Sequence, residues 1–255
     1  RVFAPDTDME ELMRKNNIPL FALESGDYIK DFDIIGFTLQ YELSYTNVLN
    51  MLDLAGIKLF SKDRTELTPI ICCGGPCACN PEPIADFFDI VFLGDGEETT
   101  EQVLDLLKYC KENGLSKHDF LLKAKDIRGI YVPSFYEPSY NDDGTLRELK
   151  PINGAPEKIK KAVVANMDTC YYPDKFVVPF INIVHDRAVE EIFRGCIRGC
   201  RFCQAGFTYR PIREKSVETI NKQSKALIDS TGYDELSLCS LSTSDHSCVN
   251  EMLTS

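Results

Sequence analysis

Long apolar runs are missing from this chain of 255 residues. No stretch approaches the roughly 18 apolar residues that a membrane-spanning helix needs. The opening RVFAPDTDMEE carries neither a basic leader nor the apolar core of a secretory signal, so a cytoplasmic location without a membrane partner is expected. No GxGxxG fingerprint and no P-loop occurs, which removes two common phosphate-cradling turns. Histidine is scarce: His118, His185 and His246 stand alone in sequence, and no pair is spaced as a metal site or a catalytic base. Basic charge is short as well. The formal net charge is -12, and residues 1–150 hold 27 Asp and Glu against 15 Lys and Arg, whereas residues 151–255 hold 13 of each. A broadly acidic half makes a poor nucleic-acid binder, because phosphate contacts depend on basic surface.

What is present is enough for a globular protein of two ordinary domains, with 44% hydrophobic residues to fill its cores. The chain starts at Arg1 and stops just after a strand-like segment, so a piece of a longer protein is expected. The first half alternates short apolar runs with helical periods. DMEELMRKNN reads as a helix opened by Asp8, DIIGFTLQ (33–40) as a buried strand, YTNVLNMLDLAG as an amphipathic helix closed by Gly56, and PIICCGG (69–75) as a second strand. DIVFLGDGEE (89–98) follows as a third strand and TEQVLDLLKYCKENG as a helix closed by Gly114. Strands separated by helices predict a parallel, doubly wound α/β sheet.

Residues 129–183 change character, with hairpin-like pieces, many prolines and an Asp-Asp-Gly turn. From RAVEEIFRGC onward the strand, helix, strand rhythm resumes through SVETINKQSKALIDSTG (216–232) and ELSLCSLS (235–242). The expected organisation is a Rossmann-like domain over 1–127, a β-rich linker over 128–185 and the start of a second parallel unit over 186–255.

Eleven cysteines are an odd number and they cluster: Cys72, Cys73, Cys77 and Cys79, then Cys196, Cys200 and Cys203. In a reducing compartment such clusters suggest metal ligation or catalysis before cross-linking. The second cluster is C-x3-C-x2-C at the end of a strand, among Gly195, Gly199 and Gly206. A structural zinc site wants four protein ligands, and no fourth thiol or imidazole lies close in sequence, so three ligands leave one vertex open. Residues 192–213 also carry Arg194, Arg198, Arg201, Arg210 and Arg213 with no carboxylate, which suits an anionic cluster. Three buried thiols on a loop are the plainer alternative.

With Phe202 directly before its third cysteine, this motif resembles the signature of the radical S-adenosylmethionine (SAM) superfamily. RGCIRGCRFCQAGFTYRPIREKS, together with GFTLQYELSYTN, GGPCACNPEP and GDGEE upstream, resembles more narrowly the members that carry an N-terminal cobalamin-binding-like domain. The resemblance implies that Cys196, Cys200 and Cys203 ligate three irons of a 4Fe-4S cluster and that SAM chelates the fourth. Reductive cleavage of SAM then yields methionine and a 5'-deoxyadenosyl radical that takes hydrogen from a substrate not specified by the sequence, with electrons from a carrier such as flavodoxin or ferredoxin. It implies a partial (β/α) barrel for the second unit. Phe202 would pack near the SAM adenine, and Ser240, Ser242 and Thr243 would stand where many relatives have a Gly-Gly-Glu-like turn for the SAM amino group; an ordinary capped turn also accounts for those hydroxyls. Thr38, Gln40, Gly74, Gly75, Gly94, Gly96 and Glu97 would line a cobalamin crevice, although no histidine precedes His118 to ligate cobalt. Two other readings stay open: a methylthiotransferase with an auxiliary cluster on Cys72 to Cys79, against which adjacent Cys72 and Cys73 should face opposite sides of their strand, and a non-enzymatic zinc- or ligand-binding module.

Overall fold

A computed structural model of the chain describes residues 1–254 apart from Asp174 and Asn182; these two positions of the 128–185 stretch, and Ser255, lie outside the described residues. The chain divides into two compact units, Arg1–Ala162 and Val163–Ser255, so the division falls inside the residues read from sequence as a linker.

The first unit is built on a four-stranded sheet. Helix α1 (Thr7–Lys15) precedes β1 (Ile34–Thr38), α2 (Tyr45–Leu54), β2 (Ile70–Gly74), β3 (Ile90–Phe92), α3 (Glu97–Glu112), α4 (Lys117–Ala124) and β4 (Ile130–Tyr131). The strand order is β1-β2-β3-β4; the first three run parallel and β4 pairs antiparallel with β3. One face of the sheet packs Ile35, Ile71, Cys73 and Val91 against Met13 of α1 and Val48 and Leu52 of α2. The other packs Ile70, Cys72, Ile90 and Ile130 against Val103, Leu107 and Cys110 of α3 and Phe120 and Leu121 of α4. Helices on both faces explain why β2 and β3 read as continuous apolar runs, since a strand covered on both sides has no solvent face, whereas edge strand β1 leaves Gly36 and Thr38 exposed. Each fully buried Ile, Leu or Phe stabilises this sandwich by about 1.5–3 kcal/mol.

Helix α3 presents Thr99, Val103, Leu107 and Cys110 along one stripe, the i, i+4, i+8 and i+11 positions of a core-facing helix. It begins at Glu97, three residues before the sequence period suggests, because the two glutamates sit favourably in its first turn. Helix α4 has no such long period and escapes sequence reading; it is fixed by a capping box in which Ser116 Oγ accepts from the Asp119 N–H and the Asp119 carboxylate accepts from the Ser116 N–H.

A buried charge cluster holds the amino ends of the strands. Asp89, just before β3, is 1% exposed and accepts from Arg64 Nη2 at 3.0 Å, Lys117 Nζ at 2.7 Å and the Ile71 N–H at 2.8 Å, with Ser61 Oγ as a further donor. Arg64 also donates to the carbonyls of Lys58, Leu59 and Phe87. The Asp89 carboxylate thereby ties β2, β3, α4 and the 58–64 turn to one point.

At the other end of β3 the chain passes close to itself. Gly94 has φ +103, and a Cβ there would lie 2.1 Å from the Ala162 carbonyl oxygen, so only glycine fits. The approach lets Ala162 N–H donate to Leu93 O and Asp95 N–H donate to Ala162 O, adding residue 162 as a parallel bridge at the end of the strand. A hairpin, β5 (Tyr136–Tyr140) and β6 (Leu146–Pro151), projects from this unit through the turn around Asp143 and Gly144.

The second unit contains β7 (Ala188–Glu191), β8 (Phe193–Arg194), α5 (Ala205–Thr208), β9 (Arg213–Glu214), α6 (Val217–Thr231), β10 (Leu236–Cys239) and α7 (Val249–Met252). Strands β7 and β10 pair parallel around α6, a β/α/β unit, and β8 pairs antiparallel with β9. Helix α6 is capped at its start by Ser216 Oγ and closed by Gly232 in the left-handed conformation. Its core joins Ile192 and Phe193 to Ile220 and Met252. Beside it lies a buried ion pair, Lys215 Nζ to Glu190 Oε1 at 2.7 Å, with Gln223 as a second acceptor and the ring of Tyr172 4.3 Å beneath the ammonium. The fold is α/β: a Rossmann-like sheet unit followed by a parallel unit of the kind that opens a (β/α) barrel. Among the described residues no helix is long and apolar enough to cross a membrane.

Candidate metal centre and cofactor crevice

The cysteine loop leaves β8 through Gly195. This residue has φ +92, and a Cβ there would meet the Pro211 carbonyl at 2.8 Å, so the loop starts pressed against the return strand. Cys203 N–H donates to Cys200 O at 3.1 Å, and Arg198 N–H approaches Cys196 Sγ at 3.5 Å, which folds the loop back on itself. Cys196 and Cys203 are half-buried and Cys200 is exposed; none is in a disulfide. Among the described residues no three His, Cys, Asp or Glu side chains gather as a metal site, so the three thiols share a loop without converging. The donor chemistry still suits a metal cluster: three unpaired, reachable thiols lie within eight positions on a glycine-bearing loop. Phe202 is 92% exposed and makes no core contact.

The arginines are more committed than their interleaving suggests. Arg194 is held bidentate by Glu191 at 2.8 and 3.0 Å, Arg213 donates to the carbonyls of Pro211, Tyr209 and Val164, and Arg210 stacks 4.8 Å over the Phe207 ring. Arg198 forms a two-point ion pair with Asp245, Nε to Oδ2 at 2.6 Å and Nη2 to Oδ1. Much of the positive charge read as countercharge for a cluster is therefore spent on local structure, with carboxylates drawn from outside the 192–213 stretch.

The Arg198–Asp245 pair brings the cysteine loop to the turn after β10. In that turn Ser240 Oγ and Thr243 Oγ1 lie 3.0 Å apart, Ser242 N–H donates to Ser240 Oγ, and Ser242 Oγ donates to Asp245 Oδ2 at 2.5 Å. Ser240, Ser242 and Thr243 are thus engaged within the turn itself. The Arg198 guanidinium, and after it the Ser242 hydroxyl, hold the Asp245 carboxyl below the ordinary carboxylate range. A carboxyl with a lowered folded-state pKa keeps its ion pair at neutral pH and loses it only as pH falls through that lowered value. Arg198→Met should therefore move the Asp245 titration upward in a carboxyl NMR experiment and leave the titration of Asp143, held low by the Thr145 hydroxyl, unchanged. Behind the turn His246 is buried and fully used: Nε2 meets Lys215 O at 3.1 Å and Nδ1 accepts from Cys248 N–H, so it is a structural residue.

In the first unit the carboxyl ends of β1, β2 and β3 enclose a crevice of about 480 Å³. Thr38, Gly74, Gly75, Gly94 and Gly96 line it, with Phe37, Phe92 and Leu104 as apolar wall. The exposed Gln40 and half-buried Glu97 fall outside the lining. Gly75, with φ +98, is needed because a Cβ would meet Leu39 O at 2.8 Å, so part of the glycine pattern serves the chain's own packing.

The N-terminal cysteines do not form a set. Cys72 belongs to the core under α3 and α4 while Cys73 and Cys77 belong to the core under α1 and α2, and Cys79 is exposed. Burial pushes the Cys72 thiol up to about 12 and raises Cys73 further, so both remain protonated at neutral pH. The sheet separates the sulfurs as the alternation of a strand requires.

Residues 1–133 match the model of a family described as radical SAM proteins, N-terminal. An uncharacterized protein of Methanocaldococcus jannaschii is 26% identical over 251 residues, which covers 94% of this chain and 45% of that relative, so the chain spans a little under half the relative's length. Among solved structures, the radical SAM methyltransferase TsrM from Kitasatospora setae with tryptophan substrate and the SAM analog aza-SAM bound aligns over 97% of this chain and 42% of its own, with a TM-score of 0.51 and 12% identity. The same enzyme with cobalamin and a 4Fe-4S cluster bound gives a TM-score of 0.50 at the same identity and coverage. At that identity the likeness speaks to the fold alone, and it is the sequence match over half the chain that settles the family: this chain belongs to the radical SAM proteins.

Proposed function

We propose that this chain carries the cofactor-binding part of a radical SAM enzyme, with Cys196, Cys200 and Cys203 as thiolate ligands of a 4Fe-4S cluster and SAM at the open vertex. The observation that carries the reading is the C-x3-C-x2-C loop, unpaired and accessible, which follows β8 in the connection between β7 and α6 of a β/α/β unit. When bound, such a cluster supplies the electron for reductive cleavage of the SAM sulfonium to methionine and a 5'-deoxyadenosyl radical.

The chain's own part is to hold and shield. Gly195 sets the loop against residues 211–212, and Arg198 fixes its middle to Asp245, so that the turn bearing Ser240, Ser242 and Thr243 stays beside the thiols. Phe202 offers an exposed ring face on which the SAM adenine can rest. In the first unit the crevice over β1, β2 and β3 is the place for cobalamin, held against backbone and apolar wall, since no imidazole precedes His118 in the sequence. Electrons come from a one-electron carrier such as flavodoxin or ferredoxin.

Anaerobic reconstitution with iron and sulfide tests the reading. It is expected to give a brown protein whose reduced EPR spectrum changes when SAM is added; a colourless protein holding one zinc through the same cysteines would overturn it. Cobalamin retention on desalting tests the crevice separately.

A further inference from the structure

The first unit holds a second cavity, of about 570 Å³, at the opposite end of the sheet from the glycine crevice. It opens beside the amino ends of β2 and β3 and the first turn of α4, and its wall includes Arg64, Lys117, Phe60, Tyr136 and Tyr140.

The charges at its base do not balance. Arg64 is 8% exposed and Lys117 6%, and both face one carboxylate, Asp89. A buried cation without its own counter-ion is costly, because its desolvation is not offset. The hydrogen bonds are incomplete in the same sense. Arg64 Nε is buried with no acceptor, and the Lys117 ammonium, with three protons, meets two acceptors, Asp89 Oδ1 and Arg64 O at 2.9 Å. Desolvation draws the Lys117 pKa below the ordinary lysine value against the upward pull of Asp89, as expected for a cation short of negative partners. The wall adds Lys117 and His118 of the first turn of α4, where the helix dipole favours an anion even though the Asp119 N–H is taken by the Ser116 cap. The acids on the wall do not supply the missing charge: Glu82 and Asp86 are exposed, and Glu82 already accepts from the Tyr131 hydroxyl.

We infer that this cavity binds an organic anion, a carboxylate or phosphate carried on an apolar or aromatic body, with the charge beside Arg64 and Lys117 and the body against Phe60, Tyr136 and Tyr140. The site is independent of the cysteine loop and of the glycine crevice, so it stands whether or not the chain carries a cluster.

The test is calorimetric titration of the full chain with phenyl phosphate, benzoate, inorganic phosphate and phenol. Binding of phenyl phosphate or benzoate, with phenol silent, supports the site, and the stronger of the two names the anion. Lys117→Gln should weaken that binding at least tenfold. Tyr140→Ala, a change at an exposed side chain, should weaken phenyl phosphate several-fold without changing the response to inorganic phosphate. Absence of heat from both organic anions at millimolar concentration overturns the inference, as does binding that Lys117→Gln leaves intact. If that variant does not fold, the amide shifts of the unmodified chain decide: phenyl phosphate must move the Lys117 and His118 amides, and shifts confined to other regions refute the site.

Discussion

Replacing Cys196, Cys200 and Cys203 by alanine is expected to yield a folded protein that retains no iron and sulfide after anaerobic reconstitution, while the pair Cys72→Ala and Cys73→Ala retains it in full. The loss should be complete, from about four irons per chain to none, because a cubane needs each protein thiolate. The fold should survive since the loop thiols are half-buried or exposed and make no core contact. The N-terminal pair makes the opposite control: its sulfurs fill two separate cores and are held as thiols, so their removal should cost stability and leave metal content alone. Iron retained in the loop variant would transfer the ligand role to other residues and sink the assignment.

The second large effect is thermodynamic. Asp89→Asn should destabilise the first unit by about 3–5 kcal/mol in urea denaturation, the scale for removing one partner from a buried ion pair. The carboxylate is buried, answers two cations and accepts from the Ile71 amide, so its neutralisation leaves Arg64 and Lys117 facing each other. Asp33→Asn, in the exposed pair with Lys111 at 2.6 Å, should change stability by less than about 1 kcal/mol. Equal effects at the two positions would show that Asp89 is not the tie point.

The sequence made some of this legible for identifiable reasons. The apolar runs at 33–40, 69–75 and 89–98 became three parallel strands. Strands β2 and β3 are covered on both faces, which leaves no polar alternation to blur the signal, and β1 at the sheet edge turns Ile34, Ile35 and Phe37 toward the cores while Gly36 and Thr38 stay exposed. The Asp-Asp-Gly turn placed the hairpin, and Gly56, Gly114 and Gly232 marked helix ends through left-handed φ. The cysteine spacing placed the loop. Less accessible was whatever depends on partners remote in sequence. Asp89 gives no local sign that Arg64 and Lys117 will meet it, and only the Ser116 to Asp119 capping box announces the helix that delivers the lysine. The arginines of the loop looked uncommitted because Asp245 sits 47 positions from Arg198. The serines after β10 looked like free donors because hydrogen bonding within a turn is invisible to composition.

The four cysteines sealed inside the first unit, Cys72, Cys73, Cys77 and Cys110, give it an internal clock. A maleimide added to the folded, cluster-free protein should modify Cys79, Cys200, Cys239 and Cys248 at once, while each sealed position waits for the sheet and its helices to part. Followed by mass spectrometry, the slow additions count opening events, and Cys72 and Cys73 should advance together if the two faces open as one cooperative unit and separately if α1 and α2 peel away before α3 and α4.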